Sequence, residues 1–95
     1  MRVISRRAIR EFTERWPDAA SPLHHWANLV ESSHWNTPID VRRTMNTVDF
    51  VEDLVVFDVG GNKYRLIAFV HYRRQAVFIK NILTHKDYDT GAWKR

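Results

Sequence analysis

The apolar positions change their period once along the chain, near residue 50, and that change divides the sequence into two kinds of element. The four residues Met1 to Ile4 read as a short strand. Ser5 follows as a candidate N-cap, and behind it Ala8, Ile9, Phe12 and Trp16 recur at helical spacing to form one stripe. Pro17 should end that helix, because the residue before a proline is biased away from helical geometry. A second helix is predicted from Ser21-Pro22, with serine as cap and proline at the first position. Its core face would be Leu23, Trp26, Ala27 and Val30, and it should fade near Ser32-Ser33. Thr37-Pro38 opens a third, shorter helical turn through about Arg43, and Thr44 to Asp49 takes no assignment.

From Phe50 onward the apolar residues are β-branched or aromatic and cluster in short runs. Leu54 to Phe57 forms one run, Gly60-Gly61 interrupts, and Tyr64 to Tyr72 and Ala76 to Leu83 read as two further strands. Helices first and an antiparallel meander second predict an α+β fold. The N-terminal strand and two to three helices would pack on a C-terminal sheet. With no repeat, low-complexity tract or linker, residues 1–95 are expected to be one domain.

Composition narrows the function classes. The chain has 95 residues, of which 44% are hydrophobic, so it can form one modest core and is not expected to be disordered. It has no cysteine, which removes disulfides and thiolate metal sites. No apolar run approaches the roughly 20 residues of a membrane helix, and the basic N-terminus lacks a signal-like apolar stretch, so a cytoplasmic protein with no membrane partner is expected. The formal charge is +4. The basic excess sits in the second half of the chain, which suits an anionic partner or simply solubility.

Several of those charges stand in or beside apolar strands. With side chains alternating, Lys63, Arg65, Ile67 and Phe69 share one face of a strand. If Arg73-Arg74 centres an even loop, Ile67 falls opposite Lys80 and Arg65 opposite Ile82, which makes Arg65 and Lys80 diagonal neighbours. An odd loop would turn Lys80 to the other face. Across Gly60-Gly61, a two-residue turn sets Asp58 opposite Lys63 and Val56 opposite Arg65. Lys63 would in turn lie opposite Thr84, beside His85. Repulsion among these cations would be relieved by a phosphate, which arginine can bind bidentately. His85 can exchange protons near neutral pH, and Tyr88 can do so if a nearby cation lowers its pKa. RNA cleavage by attack of the 2′-hydroxyl needs a base, a cation for the phosphorane and an acid for the leaving oxygen, and requires neither metal nor cofactor.

The segments Phe57-Asp58-Val59-Gly60-Gly61-Asn62-Lys63-Tyr64-Arg65-Leu66, Phe78-Ile79-Lys80 and Thr84-His85-Lys86-Asp87-Tyr88-Asp89 resemble the HigB family of bacterial toxins. The similarity extends over nearly the whole chain. The resemblance implies a RelE-like fold and a toxin that cleaves mRNA, typically on the translating ribosome, to a 2′,3′-cyclic phosphate and a 5′-hydroxyl. It implies a HigA-like antitoxin with a helix-turn-helix domain as partner. It carries over Arg65 as phosphate and transition-state stabiliser, Lys63 and Lys80 as electrostatic and RNA contacts, and His85 and Tyr88 as the acid–base pair. Lys80 counts with Arg65, His85 and Tyr88 as a catalytic candidate. Lys86 either takes part or only holds RNA. Arg73 and Arg74 are either a solvated loop tip or an RNA contact. A non-catalytic RNA- or ribosome-binding module is the alternative function.

Other signals read as structural. Gly60-Gly61 precedes a strand, so it suits a hairpin turn better than a phosphate loop. His24 and His25 would project about 100° apart on a helix and share no metal. His34 and His71 are isolated, and Trp16 and Trp26 fit core stripes. Trp35 and Trp93 could stack on bases or pack. Arg6, Arg7 and Arg10 make a solvated helix face or touch ribosomal RNA. Both sheet faces are apolar, so part of one should become buried only against an antitoxin.

Overall fold

A computed structural model describes residues 1–94. Helix α1 (Arg6–Arg15) follows strand β1 (Arg2–Ile4), with Ser5 at the N-cap position, although its hydroxyl makes no capping hydrogen bond. The helix stops before Pro17, as expected. A 3-10 turn (Pro17–Ala19) then leads directly into α2 (Ala20–Glu31), one residue ahead of the expected serine cap. Pro22 lies inside the first turn, where the missing N–H would have had no helical partner in any case. In α3 (Pro38–Thr44) Thr37 and Asp40 form a reciprocal capping box, and hydrogen bonds from the Asn36 and Thr37 N–H groups hold the Asp40 carboxyl below its ordinary pKa.

Among the described residues the sheet has five strands in the order β1-β5-β4-β3-β2. Strand β2 (Asp49–Val51) occupies the segment that the pattern left partly unassigned, and it pairs with the start of β3 (Leu54–Val59). Strands β3, β4 (Tyr64–His71) and β5 (Ala76–Thr84) form the antiparallel meander, while β1 adds to β5 in parallel. Helices and a mostly antiparallel open sheet make the fold α+β and RelE-like.

Helices α1, α2 and α3 cover one face. Ile9, Leu23, Trp26, Val30 and Val41 meet Phe57, Leu66, Ala68 and Val77 in the main core. Trp35 belongs to it too, stacked near Phe57 and donating its Nε1–H to Thr44. Trp16 is an exception to its stripe: it caps α1 at the surface, beside Phe12 and Arg15. On the opposite face Val56, Ile67 and Ala76 are also buried, although none is part of that core. The chain's own C-terminal segment covers part of this second face. Helix α4 (His85–Asp89) packs on β4 and β5, and Trp93, in the 3-10 turn Ala92–Lys94, stacks on Tyr88. No partner is needed to bury those positions.

Candidate active site on the second face of the sheet

Two register changes decide which polar groups meet. Val59 pairs with Tyr64, so the first hairpin loop has four residues, Gly60 to Lys63, instead of two. Gly60 and Gly61 both have φ +67°, a left-handed conformation that side chains disfavour, which is why this turn takes two glycines. Asp58 therefore stands opposite Arg65 and not opposite Lys63, and Val56 opposite Ile67. The second change lies in the β4–β5 ladder. The loop Tyr72–Gln75 has the expected even length, but Ala68 pairs with Ile79 while Ile67 pairs with Asn81. Lys80 is the extra residue of this bulge, and Arg65 faces Leu83 instead of Ile82.

Arg65 is the centre of what results. It is 8% exposed, and its Nε lies 3.0 Å from an Asp58 carboxylate oxygen. Nη1 donates to the carbonyls of Asn62 and Tyr64, at 3.3 and 3.2 Å. Nη2 donates to Asn62 Oδ1 at 3.2 Å and meets His85 Nδ1 at 3.0 Å. These contacts engage all five guanidinium protons. The glycine turn is what directs both oxygens of Asn62 toward them. Tyr88 places its ring over the same guanidinium, 5.5 Å from its carbon.

His85 is fixed from both sides, because its Nε2 lies 3.0 Å from Asp89 Oδ2. Arginine can only donate, so Nδ1 must accept and Nε2 must carry the proton that Asp89 receives. Helix α4 aligns these groups. The Thr84 hydroxyl accepts the Asp87 N–H as a cap, and the His85 N–H donates to the Lys63 carbonyl at 2.9 Å, which pins the helix to the glycine turn. Asp89 follows His85 by one helical turn. Burial, more than any other influence, raises the Tyr88 pKa, with Asp49 adding to the shift; the lowering by Arg65 is smaller. The expected cation-lowered tyrosine is thus reversed, and Tyr88 keeps its proton at neutral pH.

The remaining candidates are dispersed. Lys63 lies in the turn, its Nζ 3.4 Å from Asp18, and Asp18 also accepts a hydrogen bond from Tyr64. Lys80 is exposed along the outer edge of β5, where it lines a groove with Arg15 and Trp16 of the α1 region; among the described residues it is not a partner of Arg65. Lys86 is exposed on α4. Arg73 and Arg74 occupy the opposite end of the hairpin, roughly 25 Å from Arg65 at about 3.3 Å per residue. His71 is structural, accepting the Arg74 N–H. Asp58 meets Arg65 instead of the expected Lys63, and Asn62 and Asp89 are contacts of Arg65 and His85 that sequence reasoning did not single out. Asp89 was detectable only by reading Thr84 to Asp89 as a helix, which puts it over His85. Among the described residues no three His, Cys, Asp or Glu side chains gather as a metal site.

An arginine held by one acid and by carbonyls beside a histidine and a tyrosine, on a RelE-like sheet, defines the class as a small α+β protein with a cationic centre on the second face of its sheet. Residues 19–91 match the HigB toxin family, described as the RelE-like toxic component of a toxin–antitoxin system. The chain belongs to that family. It is similar to the mRNA interferase toxin HigB of Escherichia coli, at 27% identity over 94% of this chain and 88% of that protein. The mRNA interferase HigB of Shigella flexneri is similar to the same degree, and that of a second Escherichia coli strain is 29% identical over 94% of this chain and 89% of its own length. The family implies an antitoxin partner. No helix among the described residues is long and apolar enough to cross a membrane.

Proposed function

We propose that the chain is an endoribonuclease that cuts mRNA on the translating ribosome, by attack of the 2′-hydroxyl on the adjacent phosphodiester. The observation that carries this reading is the Arg65 guanidinium within 3.0 Å of His85 and beneath Tyr88. Nη2 is the edge a phosphate can reach, since its partners are two side chains, Asn62 and His85, while Nε and Nη1 stay anchored. As the phosphate takes that edge, His85 Nδ1 is released with its lone pair free. It accepts the 2′-hydroxyl proton, the 2′-oxygen bonds to phosphorus, and the bond to the 5′-oxygen breaks. Tyr88, still protonated, gives its proton to that oxygen. The products are a 2′,3′-cyclic phosphate and a 5′-hydroxyl, and solvent returns the proton from His85 to Tyr88. Arg65 offsets the charge that grows on the phosphorane. Asp89 holds the histidine tautomer, and Lys63, Lys86, Lys80, Arg73 and Arg74 are RNA or ribosome contacts outside the chemistry. The names of the relatives support mRNA as the substrate, and a HigA-like helix-turn-helix protein is the antitoxin this reading expects.

One observation favours a second reading. Because every Arg65 proton is engaged inside the protein, a degenerate toxin that binds the ribosome without cutting would have the same resting geometry. Purified protein, programmed ribosomes and 5′-end mapping separate the two. Cutting predicts new 5′-hydroxyl ends that fall at least about a hundredfold in Arg65→Ala. Binding with no new ends selects the second reading, and full activity in Arg65→Ala overturns the site.

A further inference from the structure

Behind Asp58, on the side away from Arg65, a groove of about 880 Å³ opens between α2, the segment 43–48 and the end of β3. Its apolar lining includes Trp26, Leu29, Met45 and Phe57. Trp26 is 3% exposed, yet among the described residues its Nε1–H has no hydrogen-bond partner. A buried donor without an acceptor is costly, and this one lies in the indole behind the groove wall, closed off from the groove itself.

The backbone at the groove edge is open as well. Among the described residues, strand β2 pairs only with Leu54, Val55 and Val56 of β3. The turn between them has two residues, Glu52 and Asp53, which makes Val51 and Leu54 a hydrogen-bonded pair. By alternation Val56 also directs its backbone groups to β2, and Asp58 directs its own to the same side, where β2 has not yet begun. Asp58 and Gly60 both line the groove. An unpaired strand edge beside an apolar hollow is the arrangement that captures an extended peptide. A nucleobase would use the hollow but not the edge. The charge at the rim is complementary to an acidic segment: Arg43 is 79% exposed and lies 4.0 Å from Asp40, at the limit of an ion pair, whereas the one carboxylate lining the groove, Asp58, is engaged by Arg65.

We propose that this groove seats an extended acidic–apolar segment of a protein partner, which adds as a strand beside Asp58 and inserts an apolar side chain against Trp26 and Leu29. The family's antitoxin is the partner it fits, so the inference deepens the partner in the reading above.

The test uses the full chain with its co-encoded antitoxin, read by hydrogen exchange and by binding affinity. The expected result is slowed exchange at the Asp58 and Gly60 amides in the complex. Leu29→Arg, which fills the half-buried edge of the hollow, should weaken antitoxin binding at least tenfold while leaving RNA cleavage unchanged. Arg43→Glu, at an exposed position that does not threaten folding, should weaken it in the same direction, and Arg7→Glu on α1 should not. Unchanged exchange at Asp58 and Gly60 overturns the proposal, as does equal affinity for Arg43→Glu and the parent chain. Protection of those amides by RNA but not by antitoxin overturns it too. Groove-dependent antitoxin binding by a chain that cuts no RNA would retain this inference and remove the nuclease reading.

Discussion

Phe57 and Leu66 face each other across β3 and β4 on the helix side of the sheet, and one rung further on Asp58 and Arg65 face each other on the other side. Both pairs are largely withdrawn from water: Phe57 and Leu66 are fully buried and Arg65 nearly so. Their chemistry is opposite. The aromatic–aliphatic pair is stabilised by burial that depends little on direction, so it contributes to stability and tolerates rearrangement. The ion pair gains little net energy, because desolvation offsets much of the attraction, but its hydrogen bonds fix one orientation of the guanidinium. Adjacent rungs of a single ladder therefore divide the work: one face stabilises the sheet, and the other uses the stiffness that results to hold a charge in place.

The largest effect that can break this comparison comes from removing each pair in turn. Phe57→Ala should lower unfolding free energy by about 3–5 kcal/mol, through lost burial and a residual cavity. The double variant Asp58→Leu, Arg65→Met removes both charges at once, and its stability should stay within roughly 1–2 kcal/mol of the parent chain because no unpaired charge is left behind. It should lose RNA cutting all the same. Chemical denaturation together with 5′-end mapping reads both. If the double variant unfolds as readily as Phe57→Ala, the second face is structural and the division is wrong.

Tyr88 sharpens the functional half. As a proton donor to the leaving oxygen it should contribute about a hundredfold or more, so Tyr88→Phe should slow cutting by that factor. Since the ring stays in place over Arg65, binding should change little. An RNA with a 5′-bridging sulfur at the cut needs no acid, and on that substrate Tyr88→Phe and the parent chain should react at similar rates. A persistent defect with the sulfur substrate would mean that Tyr88 only packs on Arg65.

The elements of the helix face were legible in sequence because the hydrophobic period identifies them: Leu23, Trp26, Ala27 and Val30 are all buried on α2 as their spacing requires. The second face was legible in its residue types but not in its geometry. Arg65, His85 and Tyr88 do converge. However, a four-residue glycine turn and a bulge at Lys80 displaced both registers, and neither leaves a periodic signal. The pairing Asp58–Lys63 became Asp58–Arg65, and Lys63 went to Asp18 on a segment 45 residues away. Long-range partners of that kind follow from tertiary packing alone. Helix α4 is five residues long, too short for periodicity to identify, and this is why the contact between Asp89 and His85 was missed.

A smaller effect connects the helix face to pH. The hydrogen bond to Asp18 pushes the Tyr64 pKa up to about 12 from 10.0, and the same bond holds Asp18 below its ordinary value. A phenol whose pKa is raised by folding contributes stability that is complete below about pH 10 and is lost as pH rises through about 12. The depressed carboxyl acts in the opposite sense: its contribution is present above the ordinary carboxylate range and is lost as pH falls through its folded value. Tyr64→Phe should flatten both limbs of the stability–pH curve. A parent curve with no slope above pH 10 would show that this bond is not maintained in solution.

The smallest expected effect lies at the far end of the hairpin. Arg73 and Arg74 are exposed at a loop tip, roughly 25 Å from Arg65 at about 3.3 Å per residue, so they can reach only nucleic acid remote from that guanidinium. Their truncation to alanine should leave stability within about 0.5 kcal/mol, as for surface positions generally. Every phosphate that the variant no longer neutralises releases about one counterion fewer on binding, so the double variant should bind ribosomes a few-fold more weakly at low salt. The difference should shrink as salt rises, with no change in the rate of cutting once bound. If instead the cutting rate of bound enzyme falls while affinity holds, the two ends of the hairpin are coupled, and the second face is not the self-contained site that the ring of hydrogen bonds around Arg65 implies.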